Sequence, residues 1–103
     1  MDHSSDLSAE LIKEAIDILL KIKAKITDDS DLMWTSFETA NELRNEIDAY
    51  ISELKANRKE IIHEVYSHFL PASTFQEHSM QNGWSEDYHK WAKRFDSIYE
   101  TLK

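Results

Sequence analysis

Apolar residues recur along the chain at steps of three and four, the spacing that lines one face of an α-helix. Residues 7–26 carry Leu11, Ile12, Ala15, Ile16, Ile18, Leu19, Leu20, Ile22 and Ile26 in this pattern, with Ser5, Asp6 or Ser8 as the cap. At about 100° per residue these positions cover more than half of the circumference, with Ile18 and Leu20 on opposite flanks. A helix with so wide an apolar face needs neighbours on two sides. It is either central in a monomer or an interface in an oligomer.

The run Asp28-Asp29-Ser30-Asp31 follows, and its short oxygen-bearing side chains suit the start of a second helix. A calcium loop is not read there, because the Gly and distal Glu of an EF-hand are both missing. The second stripe is Met33, Phe37, Ala40, Leu43, Ile47, Tyr50, Ile51 and Leu54, and it continues nearly in phase through Ile61, Ile62, Val65, Tyr66 and Phe69. One unbroken helix over residues 31–69 would be about 58 Å long, too long for so small a chain. Asn57 with Glu60 reads as an N-cap and its partner, which places a break near residues 55–58.

Pro71 stops the third helix at Leu70. Ser73 with Gln76, or Thr74 with Glu77, restarts a short one that Asn82-Gly83 ends in left-handed geometry, with Phe75, Met80 and Trp84 as anchors. Ser85 then caps a last helix striped by Tyr88, Trp91, Ala92, Phe95, Ile98, Tyr99 and Leu102. The expected fold is all-α: a small antiparallel helical bundle of three to four long helices plus one short helix. Residues 1–6 are expected as a disordered N-terminus and residues 7–103 as a single helical domain.

Composition narrows this picture. With 103 residues, 41% of them hydrophobic, the chain has enough for one core but not two. Its single Gly and single Pro argue against an all-β fold, which uses both at its many turns. The formal charge of −8 repels phosphate and anionic membrane surfaces, so neither nucleic acid nor membrane is expected as a partner. The same charge weighs against a helix-turn-helix around Asn82-Gly83, whose recognition helix would present Glu86, Asp87 and Asp96 to a polyanion. The absence of Cys excludes disulfides and thiolate metal sites and suits a reducing, cytoplasmic setting. The opening residues lack the layout of a secretory signal, so none is expected.

Three arrangements invite chemistry. Glu60-x-x-His63 and Glu86-x-x-His89 repeat the spacing of di-iron four-helix proteins, but both pairs fall about 125–180° from their apolar stripes and face solvent. His68 sits at a stripe edge with Glu64 one turn earlier, yet lacks the third group that a catalytic pair requires. Arg44 falls inside the apolar stripe of the second helix, where it needs a partner, and Asp48 is one turn away. Trp34 lies off the stripe, as either a bundle-end closure or an exposed anchor.

No catalytic, cofactor-binding or metal-binding residue is assigned. The expected role is a non-catalytic protein-interaction or regulatory module, self-associating or bound to a protein partner, with Ile18, Leu20, Trp34 and Arg44 as the partner-binding residues. The alternatives are a small metal-binding or enzymatic bundle using His/carboxylate pairs, and an acidic inhibitor of a basic protein.

Overall fold

A computed structural model describes residues 3–33, 35, 37–70 and 73–103, with side chains from residue 8 onward. Among them the chain forms five helices: α1 (His3–Lys25), α2 (Ala40–Lys55), α3 (Ile61–Ser67), α4 (Thr74–Asn82) and α5 (Ser85–Leu102). Helix α1 packs against both α2 and α5, α3 bridges α2 and α5, and α4 lies on α5.

Cross-helix pairs fix the directions. Lys23 meets Asp48 while Arg44 reaches Asp28, so α1 and α2 run antiparallel. Glu14 meets Arg94 and Lys25 meets Asp87, so α1 and α5 are also antiparallel. His63 bonds Tyr99 and Tyr66 bonds Asp96, which sets α3 antiparallel to α5. The architecture is the expected all-α bundle, with three long helices closed at one side by two short ones.

The wide stripe of α1 finds its two neighbours inside the molecule. Leu11, Ile12, Ala15, Ile18, Leu19, Ile22 and Ile26 are all buried. At its N-terminus α1 is helical from His3. Ser5, Asp6 and Ser8 consequently lie within the helix rather than ahead of it.

Helix α2 starts at Ala40, nine residues after the acidic run expected to cap it. Local side-chain bonds hold the preceding segment out of helical geometry. Asp31 Oδ1 accepts from the Met33 amide at 2.9 Å, and the Thr35 hydroxyl donates to the Leu32 carbonyl at 2.9 Å while accepting from the Phe37 amide at 3.2 Å. Met33, assigned to the apolar stripe, is 73% exposed. The working cap is Thr39, whose hydroxyl accepts from the Glu42 amide at 3.1 Å, while the Glu42 carboxylate accepts from the Glu38 amide at 3.3 Å.

The break expected near residues 55–58 is present, with Asn57 in a role opposite to the expected one. Asn57 has φ 62° and terminates α2 instead of starting α3. The Arg58 amide donates to the Glu53 carbonyl and the Asn57 amide to that of Leu54, both at 3.0 Å, which is the Schellman pattern. Helix α3 ends at Ser67 with His68 as its cap, three residues before the expected stop, and Pro71 lies outside the described residues.

Helix α4 ends at Gly83, φ 80°, with the Trp84 amide donating to the Ser79 carbonyl at 3.0 Å. Phe75 and Trp84 are buried as expected, but Met80 is 60% exposed and His78 and Ser79 are buried instead. Ser85 lies inside α5; Trp84 occupies the cap position without a side-chain bond. The centre of this half is aromatic. Phe69 stacks on Phe95 with centroids 4.4 Å apart, meets Phe75 edge-on at 5.0 Å, and accepts the Tyr88 hydroxyl at its carbonyl at 2.8 Å.

Candidate functional site

The four residues expected to bind a partner separate in the structure. Ile18 is 5% exposed and belongs to the protein's own core, which corrects its assignment to a surface flank. Leu20, on the opposite flank, is 49% exposed. The two differ because α2 and α5 between them cover most of the α1 circumference and leave one strip open. Trp34 lies outside the described residues.

Arg44 pairs differently from expectation. Asp48 is taken by Lys23 at 2.8 Å, and Arg44 instead spans the gap to the end of α1. Its Nη1 donates to the Ile26 carbonyl at 3.1 Å and its Nη2 to Asp28 Oδ1 at 2.6 Å. A carbonyl just past a helix C-terminus has no helical donor and sits at the negative end of the helix dipole, so the guanidinium satisfies both needs. Arg44 is thus a structural clasp between α1 and α2.

The open strip is a shallow groove lined by Lys13, Ile16, Asp17, Leu20 and Lys55. Ile16 is half-buried and Leu20 stands out of it, so its floor is aliphatic. Asp17 is neutralised by Lys21 at 2.9 Å. Neither Lys13 nor Lys55 has an ion-pair partner among the described residues, and both are exposed. The rim is therefore locally positive in a chain of net charge −8. Sequence reading found Leu20 but missed Lys55, because α1 and α2 meet there only after the chain has reversed direction.

A second polar cluster surrounds His68. Its Nε2 lies 2.7 Å from the Tyr50 hydroxyl and its Nδ1 3.0 Å from that of Thr74, which joins α2, the end of α3 and the start of α4. Phe37, Tyr50 and Phe75 pack their rings against the imidazole. Burial holds the His68 pKa below its ordinary value against the pull of Glu46 and Glu64. Burial, with Glu46 beside it, raises that of Tyr50. Glu64, expected as the partner, acts on His68 only as a nearby charge. The third group missing from the sequence pattern is supplied by Tyr50, 18 residues away on α2, and by Thr74, six residues further along the chain, which meet at the imidazole only once α2, α3 and α4 have packed. Chemically the cluster resembles a hydroxyl–histidine relay. Thr74 and Tyr50 are both buried, at 8% and 4% exposure, and through His68 the cluster joins three helices.

The two Glu-x-x-His pairs do face solvent: Glu60, His63, Glu86 and His89 are all exposed. His63 Nδ1 is 2.8 Å from the Tyr99 hydroxyl, and Tyr99 stacks on Tyr66 at 4.0 Å. Among the described residues no three His, Asp or Glu side chains gather as metal ligands, and no helix is long and apolar enough to cross a membrane. No family model, no curated protein and no solved structure matches the chain.

Proposed function

We propose that the protein is a non-catalytic interaction module whose α1–α2 groove receives the apolar face of an acidic amphipathic helix from a partner protein. The observation that carries this reading is Leu20, half exposed over an aliphatic floor and flanked by two lysines that have no counter-ion among the described residues. An apolar strip along a helix pair is the surface on which amphipathic helices dock, with side chains three and four residues apart as anchors. Charge at the rim selects the partner's sign and speeds encounter more than it adds affinity. The lysine stems also extend the apolar surface, since their methylenes lie along it while the ammonium groups stay wet.

A second copy fits less well. An isologous pairing of this face would set Lys13 and Lys55 against the same lysines of the other chain. The test uses a short synthetic helix with leucines three and four residues apart and glutamates between them, and a counterpart with lysines in place of the glutamates. Chemical-shift mapping should place the acidic peptide at Ile16, Leu20 and Lys55, and Leu20→Ser should weaken it about tenfold by removing one apolar anchor. Equal binding of the basic peptide, binding that survives Leu20→Ser, or a concentration-dependent dimer abolished by Leu20→Ser would each overturn the proposal.

A further inference from the structure

We propose that His78 and Trp84 form a pH-sensitive latch across the α4–α5 corner, closed while His78 is neutral and opened when it takes a proton. The two residues flank the left-handed turn at Gly83 and are both buried, His78 completely and Trp84 to 5% exposure. Trp84 Nε1 lies 3.0 Å from His78 Nδ1, with ring centroids 5.5 Å apart. An indole N–H can only donate, so Nδ1 must carry a lone pair and the proton of the neutral ring sits on Nε2. That Nε2 is itself buried and has no acceptor among the described residues.

This arrangement admits only the neutral ring. An imidazolium carries N–H on both nitrogens, and the new Nδ1–H would point at the indole N–H. Protonation therefore replaces one buried hydrogen bond by two opposed donors, and places a charge on a fully buried ring. Burial accordingly keeps the His78 pKa below its ordinary value, opposed by the attraction of Asp31. The strain is released by swinging the imidazole and indole apart about the short Gly83 turn.

The charged groups around the pair are few. Asp31, from the segment between α1 and α2, is the one that acts on His78. On the α4 side the nearest acid along the chain is Glu77, and on the α5 side Asp87 is engaged by Lys25 of α1 at 3.2 Å. The rings of Tyr88 and Trp91 also pack against Trp84. Asn82 couples the corner to the rest of the molecule. Its Nδ2 donates to the His78 carbonyl at 2.9 Å and to the Asp31 carbonyl at 3.0 Å, and its Oδ1 accepts from the Asp31 amide at 2.8 Å. Opening at His78 thus also loosens the segment that leads into α2.

The test is a nitrogen-15 NMR titration of the whole protein, following the histidine rings, the indole N–H groups and the Asn82 carboxamide through the histidine range. The expected result is an Nε2–H tautomer at neutral pH, then a titration of His78 displaced below the ordinary histidine value. Solvent exchange of the Trp84 indole proton should rise at least about tenfold as His78 titrates, and the Asn82 signals should move with it while the α1 and α2 amides keep their protection. In His78→Gln the carboxamide oxygen still accepts from the indole and cannot titrate, so the response of Trp84 should vanish. An Nδ1–H tautomer, an ordinary titration that leaves Trp84 unmoved, collapse of all helices in one step, or a Trp84 response that persists in His78→Gln would each overturn the latch. Should His78→Gln fail to fold, the tautomer and the titration of the unaltered protein decide the matter alone.

Discussion

The Arg44 guanidinium, from the first turns of α2, donates to the carbonyl of Ile26 just beyond the end of α1, at 3.1 Å. The same side chain holds Asp28, but Asp28 is 87% exposed while Arg44 is only 23% exposed. The carbonyl is the partner that matters, because a bond from a charged donor to a half-buried group outweighs a screened surface pair. Arg44→Ala should destabilise the fold by about 1–2 kcal/mol and Asp28→Ala by less than about 0.5 kcal/mol, read from urea unfolding midpoints. Equal costs for the two would show that the ion pair dominates.

Ile18 and Leu20 should respond in opposite ways to truncation. Ile18→Ala leaves a cavity in the packed interior and should cost about 2–4 kcal/mol, whereas Leu20→Ser should stay within about 0.5 kcal/mol. Chemical denaturation of the two single variants separates them directly. A large loss for Leu20→Ser would mean that the strip it occupies is covered within the molecule.

At Asn57 the positive φ of 62° makes the side chain matter more than its contacts. Asn57→Ala should cost about 1 kcal/mol by placing an ordinary Cβ in left-handed geometry, while Asn57→Gly should be neutral or slightly stabilising. Thermal unfolding of the pair checks this, and similar values for both would argue against strain at the α2 stop.

The pH dependence should have two edges. Burial lowers the pKa of His68 and His78 in the folded state, so the unfolded chain binds more protons as pH falls below the ordinary value of 6.5. Stability is therefore complete above that value and declines beneath it, until the depressed folded values are passed. At the alkaline edge the pKa values of Tyr50 and Tyr88 are raised by burial, and that of Tyr66 is raised to about 12 by its bond to Asp96. The unfolded chain then loses protons first above the ordinary value of 10.0, and stability should fall as pH rises through that range. Denaturant midpoints across the pH scale test both edges. Replacing His68 and His78 singly by Gln should each flatten the acid side in part.

Helix α5 shows where sequence reading succeeds. Tyr88, Phe95 and Ile98 are buried along its stripe, because a period of 3.6 residues on one uninterrupted helix already states which face turns inward. The α2 start shows where it fails. Met33 and Phe37 are in phase with the stripe, but Asp31 and Thr35 offer the backbone closer partners than a helical turn would. Periodicity carries no information on that competition.

The candidate sites follow the same division. The exposure of Leu20 was legible as a flank of a stripe too wide for one neighbour, yet the identical argument applied to Ile18. Only the placement of α2 and α5 decided which flank is covered. The partners of Arg44, His68 and His78 were likewise hidden. Ile26 is 18 residues from Arg44, and Tyr50 is 18 residues from His68.

By itself the sequence determined the helical class, the acidic surface, the break after α2 and the inward faces of α1 and α5, all of which rest on local spacing and composition. Tertiary structure decided that the α1 stripe is absorbed on both sides except at Leu20. It also decided that Arg44 closes the end of α1 and that His78 is buried against Trp84. These outcomes depend on which helices become neighbours, and side chains far apart along the chain share a hydrogen bond or a buried surface only once the bundle has closed.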